Sequence, residues 1–325
     1  MENRNKYLAT WYLVTLLCCV FSFSMLLLVQ GFEIIFYIFT GVVASLQIFG
    51  LTYYLQSNAE KRSKRIKTIL RLNFLASFSA IFCVVFFSAM MFSQFHSKLP
   101  ADAKGNIDDI NIQEVINKKG TYIFQTEDFY IIFPEYQSVE FITKDRPKKS
   151  DESITFCGAA AFSLDYSLAY DEQKVCGDYA HDGKLTNSYH IQNLGAFTFY
   201  EGKGHLITEG NPDEAIKEAA LKGGDGFEQL VAMHNGKGTE LQIGETRCLR
   251  VLTEIQGRLC LIDSIGMVSY EDFIQDLEKA GIENALYLEM GAGWNYCWYR
   301  LENNHTKNVF GLPFPFSHNW IIFKK

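Results

Sequence analysis

The stretch ALYLEMGAGWNYCWYR (Ala285–Arg300) alternates like a β-strand and ends on one carboxylate, Glu289, beside a loop almost bare of side chains, Gly291–Ala292–Gly293. In a strand Ala285, Tyr287 and Glu289 share one face and Leu286, Leu288 and Met290 the other. A reaction that builds positive charge needs such a carboxylate, as nucleophile, base or electrostatic partner. Glycines let a substrate come close to the backbone. An acid closing an ordinary turn has the same appearance, so residue type alone leaves both readings open.

Other residues carry weaker chemistry. TRCLRVLTEI and RLCLIDSI flank Gln256–Gly257, a two-residue hairpin turn that sets Arg250 opposite Asp263. A cross-strand ion pair is therefore preferred to a substrate contact for Arg250. Trp294, Tyr296 and Trp298 alternate after the glycine loop, for stacking on a ligand or for core packing. Asp165 is a second acid or a turn cap, and His181 lies in the polar stretch YAHDGK. No CxxC pair or HExxH occurs, so no metal site and no cofactor are expected.

The positioning elements are mainly strands. TYIFQTEDFYIIF, SVEFITK and ITFCGAAAFSLDY are short, aromatic and β-branched, and GAFTFYEGKGHLI reads as a hairpin turning at Gly202–Gly204. One helix starts at Asn211, with Pro212 in first position and Gly223 after its end. A second starts at the capping box of Ser269 and Asp272, buries Phe273, Ile274 and Leu277, and stops before Gly281. Helices interspersed with strands predict a mixed α/β (α+β) domain over residues 121–325, preceded by a polar stalk over 96–120.

The first 95 residues read differently. Apolar runs over about 7–29, 32–55 and 72–95 each have the length needed to cross a bilayer, which predicts a three-helix transmembrane anchor. The basic stretch EKRSKRIKTILR marks a cytoplasmic loop, with the N-terminus on the same side. The expectation is an integral membrane protein, in contact with lipid and with its C-terminal domain periplasmic or extracellular, as at a bacterial inner membrane. Residues 1–95 carry 8 basic and 3 acidic residues, leaving 22 basic and 34 acidic for the rest. An acidic domain excludes nucleic acid as a partner. Five cysteines, Cys157, Cys176, Cys248, Cys260 and Cys297, lie beyond residue 95, either as free thiols or with Cys157–Cys176 as the first pair to test.

The order of these motifs resembles the phosphodiester glycosidase family, which includes the enzyme that uncovers mannose 6-phosphate by removing N-acetylglucosamine. CGAAAFS (Cys157–Ser163) stands where that family has an NGGFF-like segment, and TRCLRVLTEIQGRLCLID (Thr246–Asp263) where it has an arginine-bearing strand and glycine hairpin. LEMGAGWN (Leu288–Asn295) stands for its closing LDGGGS. Glu289 replaces the family's aspartate, Trp294 and Asn295 replace residues after the glycines, and the asparagine of the first motif is absent. The resemblance implies a hydrolase of sugar 1-phosphodiesters, such as those of N-acetylglucosamine, in envelope or exopolysaccharide glycans. Glu289 and Arg247 would be catalytic, and Gly291, Gly293, Trp294, Asn295, Arg250, Asp165 and His181 would bind the carbohydrate-phosphate substrate. The alternative is a non-catalytic glycan- or partner-binding module of the same fold, which the altered motifs would suit.

Overall fold

The Gln256–Gly257 dipeptide turns a hairpin at the centre of the domain. Both residues have positive φ, 50° and 76°, as a two-residue turn compatible with strand twist requires. The computed structural model describes residues 98–163, 175–244, 246–290, 295–310 and 317–325. All belong to the second of two units of the chain, Met90–Lys325.

In chain order, β1 (Ala103–Lys104), a 3₁₀ turn and the short helix α1 (Ile112–Asn117) lead into β2 (Thr121–Gln125), β3 (Phe129–Pro134), β4 (Ser138–Thr143) and β5 (Ile154–Ala159). Then come β6 (Tyr179–His181), β7 (Lys184–Thr186), β8 (Leu194–Tyr200), β9 (Lys203–Ile207), α2 (Pro212–Leu221), β10 (Asp225–His234) and β11 (Lys237–Gly238). The rest is β12 (Arg250–Ile255), β13 (Arg258–Ser264), α3 (Tyr270–Lys279), β14 (Ala285–Tyr287), β15 (Cys297–Arg300), β16 (Thr306–Asn308) and β17 (Asn319–Lys324).

Among the described residues these strands form two sheets. The larger runs β1-β2-β3-β13-β12-β14-β10-β6-β7, with β8, β9 and β11 attached around β10; the smaller runs β16-β15-β5-β17-β4. Apart from β1 with β2, the paired strands are antiparallel. Their apolar faces, from Ile131, Val251, Leu261 and Leu286 to Phe156 and Phe323, make one continuous core. Leu99, Ile110 and Val115 are buried in it too.

Both expected helices are present. Asn211 accepts a hydrogen bond from the Asp213 N–H at the start of α2, and Ser269 accepts one from Asp272 N–H at the start of α3. Each is nevertheless only ten residues long. The mixed α/β description is therefore corrected: among the described residues the domain is dominated by antiparallel sheet, with two ten-residue helices and one shorter one beside seventeen strands. Both ten-residue helices carry the chain over one strand: α3 joins β13 to β14 across β12, and α2 joins β9 to β10 across β8.

The anchor is corrected as well. The expected spans over 7–29, 32–55 and 72–95 lie outside the described residues, and among the described residues no helix is long and apolar enough to cross a membrane. A ten-residue helix is about 15 Å long, half of the roughly 30 Å hydrocarbon core. The three-helix anchor, the bilayer contact and the integral-membrane localisation are thus not part of the structure described.

Candidate functional site

The two sheets meet where β14 passes into the glycine loop, and hydrogen bonds from both fix that crossing. Leu288 N–H donates to the Arg250 carbonyl (3.0 Å) and Glu289 N–H to the Ala160 carbonyl (2.9 Å). Glu289 thus leaves the large sheet at the end of β5, beside the small-residue segment Ala159–Phe162. That segment is held by two buried amides. Gln229 donates to the Ala160 carbonyl (3.0 Å). Asn319 accepts from Ala161 N–H (2.7 Å) and donates to the Ala161 carbonyl (3.0 Å). Alanines allow these contacts because no bulk intervenes between the backbone and the amides.

A cleft of about 550 Å³ opens next to this crossing, lined among others by Phe162, Asn193, Gln242, Arg247 and Tyr287. Its size suits a small ligand. Phe162 packs edge-on against Tyr287, ring centroids 5.6 Å apart. Arg247 is placed by a bridge to Val268, its N–H donating to the Val268 carbonyl (3.0 Å), and one Nη donates to the Gly244 carbonyl (2.9 Å). A guanidinium has five N–H donors, so capacity remains for an anionic ligand. Burial raises the Tyr287 pKa; the neighbouring Arg247 pulls it back down and Glu289 adds to the rise. Glu289 also contributes, after burial, to pushing the Cys176 thiol up to about 11. Tyr287 therefore lies within electrostatic reach of both Arg247 and Glu289.

The other expected site residues separate from this group. Arg250 and Asp263 face each other in register and form a two-pronged ion pair, Nε to Oδ1 and Nη2 to Oδ2 both at 2.6 Å, with both side chains fully buried. The guanidinium also lies 5.6 Å from the ring centres of Phe156 and Phe310. His181 pairs through Nδ1 with Asp225 Oδ1 (2.7 Å) at the edge of β6. Asn295 is buried. Gly291, Gly293, Trp294 and Asp165 lie outside the described residues. Tyr296 and Trp298 are buried, Tyr296 under the Arg146 guanidinium at 4.8 Å. All five cysteines of the domain are free and buried.

Sequence reasoning missed Tyr287 as a cleft residue, together with Phe162, Gln229 and Asn319. Tyr287 had a usable signal, its period-2 relation to Glu289; the two amides had none, because they act across long stretches of chain.

No family model matches this chain. No curated protein matches it either. Among solved structures it is similar to the zebrafish N-acetylglucosamine-1-phosphodiester alpha-N-acetylglucosaminidase catalytic domain auto-inhibited by pro-peptide. The two are 13% identical over 60% of this chain and 76% of that one, with a TM-score of 0.44. Neither the fold nor any residue's role is argued from that likeness.

Proposed function

We propose that the domain hydrolyses a sugar 1-phosphodiester, with the phosphate at Arg247 and the anomeric carbon toward Glu289. The observation that carries this reading is Tyr287, which lines the cleft with Arg247 and feels the charges of both Arg247 and Glu289. Cleavage breaks the C1–O bond, and its electron pair leaves with the phosphate oxygen. The sugar ring gains oxocarbenium character, which a nearby carboxylate stabilises. Water adds at C1 and gives up a proton. Phosphate is a good leaving group, so the reaction does not depend on a strong general acid. The bidentate guanidinium neutralises charge that grows on the departing phosphate.

The test uses the full chain and N-acetylglucosamine 1-phosphodiesters, nucleotide sugars included, with release of free sugar as the readout. Wild type should turn over, and Glu289→Gln should lose on the order of 10²-fold or more in kcat, the scale of removing a charge-stabilising group. Arg247→Lys should raise KM. Turnover that survives Glu289→Gln would refute the assignment of the carboxylate. Binding of the same ligands without turnover by wild type would replace the enzyme with a non-catalytic sugar-phosphate module.

A further inference from the structure

Away from the cleft, four segments bring four polar side chains to one point. Asp178 precedes β6, His190 follows β7, Asp213 lies in the first turn of α2, and Glu228 projects from β10. The donor atoms of Asp178, His190 and Asp213 all lie within 4.8 Å of one another.

The hydrogen bonds divide these residues into two roles. Asp178 accepts from the Ser188 N–H (2.8 Å), the Asn187 amide (2.5 Å) and His190 Nε2 (2.9 Å). An acceptor so engaged holds the imidazole proton on Nε2 and leaves the Nδ1 lone pair pointing the other way. On that side Nδ1 meets Asp213 Oδ1 at 3.6 Å and Glu228 Oε2 at 3.8 Å. A carboxylate that orients a histidine through its far nitrogen is the usual outer support of a metal ligand.

Glu228 supplies the independent observation. Its side chain is fully buried. Oε2 accepts from the Asp178 N–H (3.1 Å), whereas Oε1 has no hydrogen-bond partner. An unsatisfied buried carboxyl oxygen is costly, and the Glu228 carboxyl lies beside that of Asp213. The backbone is shaped to keep it there. Gly177 has φ of 84°, and a Cβ on it would fall 2.4 Å from Glu228 Cβ and 2.9 Å from Oε2. Two carboxylates and a histidine nitrogen pressed together, one oxygen unpartnered, lack a positive charge between them.

We propose that His190 Nδ1, Asp213 and Glu228 bind one divalent transition-metal ion of the Zn²⁺ or Mn²⁺ type, with Asp178 positioning the histidine. A tetrahedral ion with bonds of about 2.0–2.2 Å separates its ligands by roughly 3.4 Å, close to the 3.6 and 3.8 Å spacings present. One imidazole with two carboxylates is a donor set for these ions rather than for Ca²⁺, which takes oxygens alone, or for a thiolate-selecting metal. His190 and Asp213 remain partly exposed, which gives the ion an entry path and keeps a position for water.

The experiment uses the full chain, stripped with a chelator and titrated separately with ZnCl₂ and MnCl₂. Calorimetry should find one equivalent bound, and thermal unfolding should show a saturable rise in Tm. His190→Ala changes a partly exposed side chain and keeps the fold, and it should weaken binding on the order of 100-fold. Glu228→Gln should do likewise, and Asp178→Asn should weaken binding about 10–100-fold through loss of the orienting carboxylate. His181→Ala and Glu289→Gln should leave the affinity unchanged, which separates this site from the His181–Asp225 pair and from the cleft. No uptake of either metal, or an unchanged Kd in His190→Ala, would overturn the proposal.

Discussion

The buried Arg250–Asp263 pair gives the sharpest quantitative prediction, because its two readings differ in sign. Both side chains are fully excluded from solvent and are joined by two 2.6 Å hydrogen bonds. Burial opposes the Arg250 charge, but Asp263, and then Cys297, more than offset it, so its pKa lies above the usual value. Asp263→Ala leaves a guanidinium uncompensated in the core, which costs about 3–5 kcal/mol. In a domain of this size each kcal/mol moves Tm by roughly 2–4 °C, so the variant should melt about 6–20 °C lower. Replacing both residues, Arg250→Met with Asp263→Leu, removes the desolvation cost of two ions and should recover most or all of that loss. Thermal unfolding of wild type, Arg250→Met, Asp263→Leu and the double variant, run as a cycle, measures the coupling. An Asp263→Ala cost below about 1 kcal/mol, the range of an exposed pair, would refute the buried-pair account. A stable double variant with lost sugar release would instead return Arg250 to the substrate site.

Three further outcomes follow from the same geometry. Its hydrogen bond to Asp225 raises the His181 pKa above 6.5, against the effect of burial. The stability contributed is fully present below about pH 6.5 and is lost as pH rises through the raised value, so His181→Gln should cost more at pH 5.5 than at pH 9 in urea unfolding. Burial pushes the thiols of Cys176 and Cys297 to about 11 and about 12, so iodoacetamide at pH 8 should leave both unlabelled by mass spectrometry until the chain is denatured; native labelling would contradict their burial. Gly177→Ala combines a strained positive φ with a Cβ 2.4 Å from Glu228, and should lower stability by about 1–3 kcal/mol, measurable as a shift in urea midpoint at unchanged slope.

What could be read from the sequence was what is decided locally. The Gln256–Gly257 turn, the Asn211 and Ser269 caps and the placing of Arg250 opposite Asp263 each depend on a few adjacent residues. The sheet class was not local. Two well-signalled helices suggested an α/β alternation, but strand pairing depends on partners far away, and those partners turn out to be antiparallel neighbours. Glu289 and Arg247 stood out by type, whereas Asn319 reaches Ala161 from 158 positions away. His190 is a lone histidine in its segment; only the fold shows that Asp178, Asp213 and Glu228 surround it.

The position of β17 between β4 and β5 has a consequence for how the protein is made. Its partners in β4 lie as far as 186 positions upstream (324 − 138), where Lys324 stands opposite Ser138. During synthesis the small sheet lacks an inner strand until residues 319–324 have emerged from the ribosome, and β4 and β5 wait with open edges for tens of seconds at roughly 5–20 residues per second. Closing so long a loop also slows the search for the native pairing. The nascent chain is therefore a client for chaperones that shield bare strand edges, and loss of residues 319–325 would leave β4 and β5 unjoined, removing the clamp on Ala161 with them.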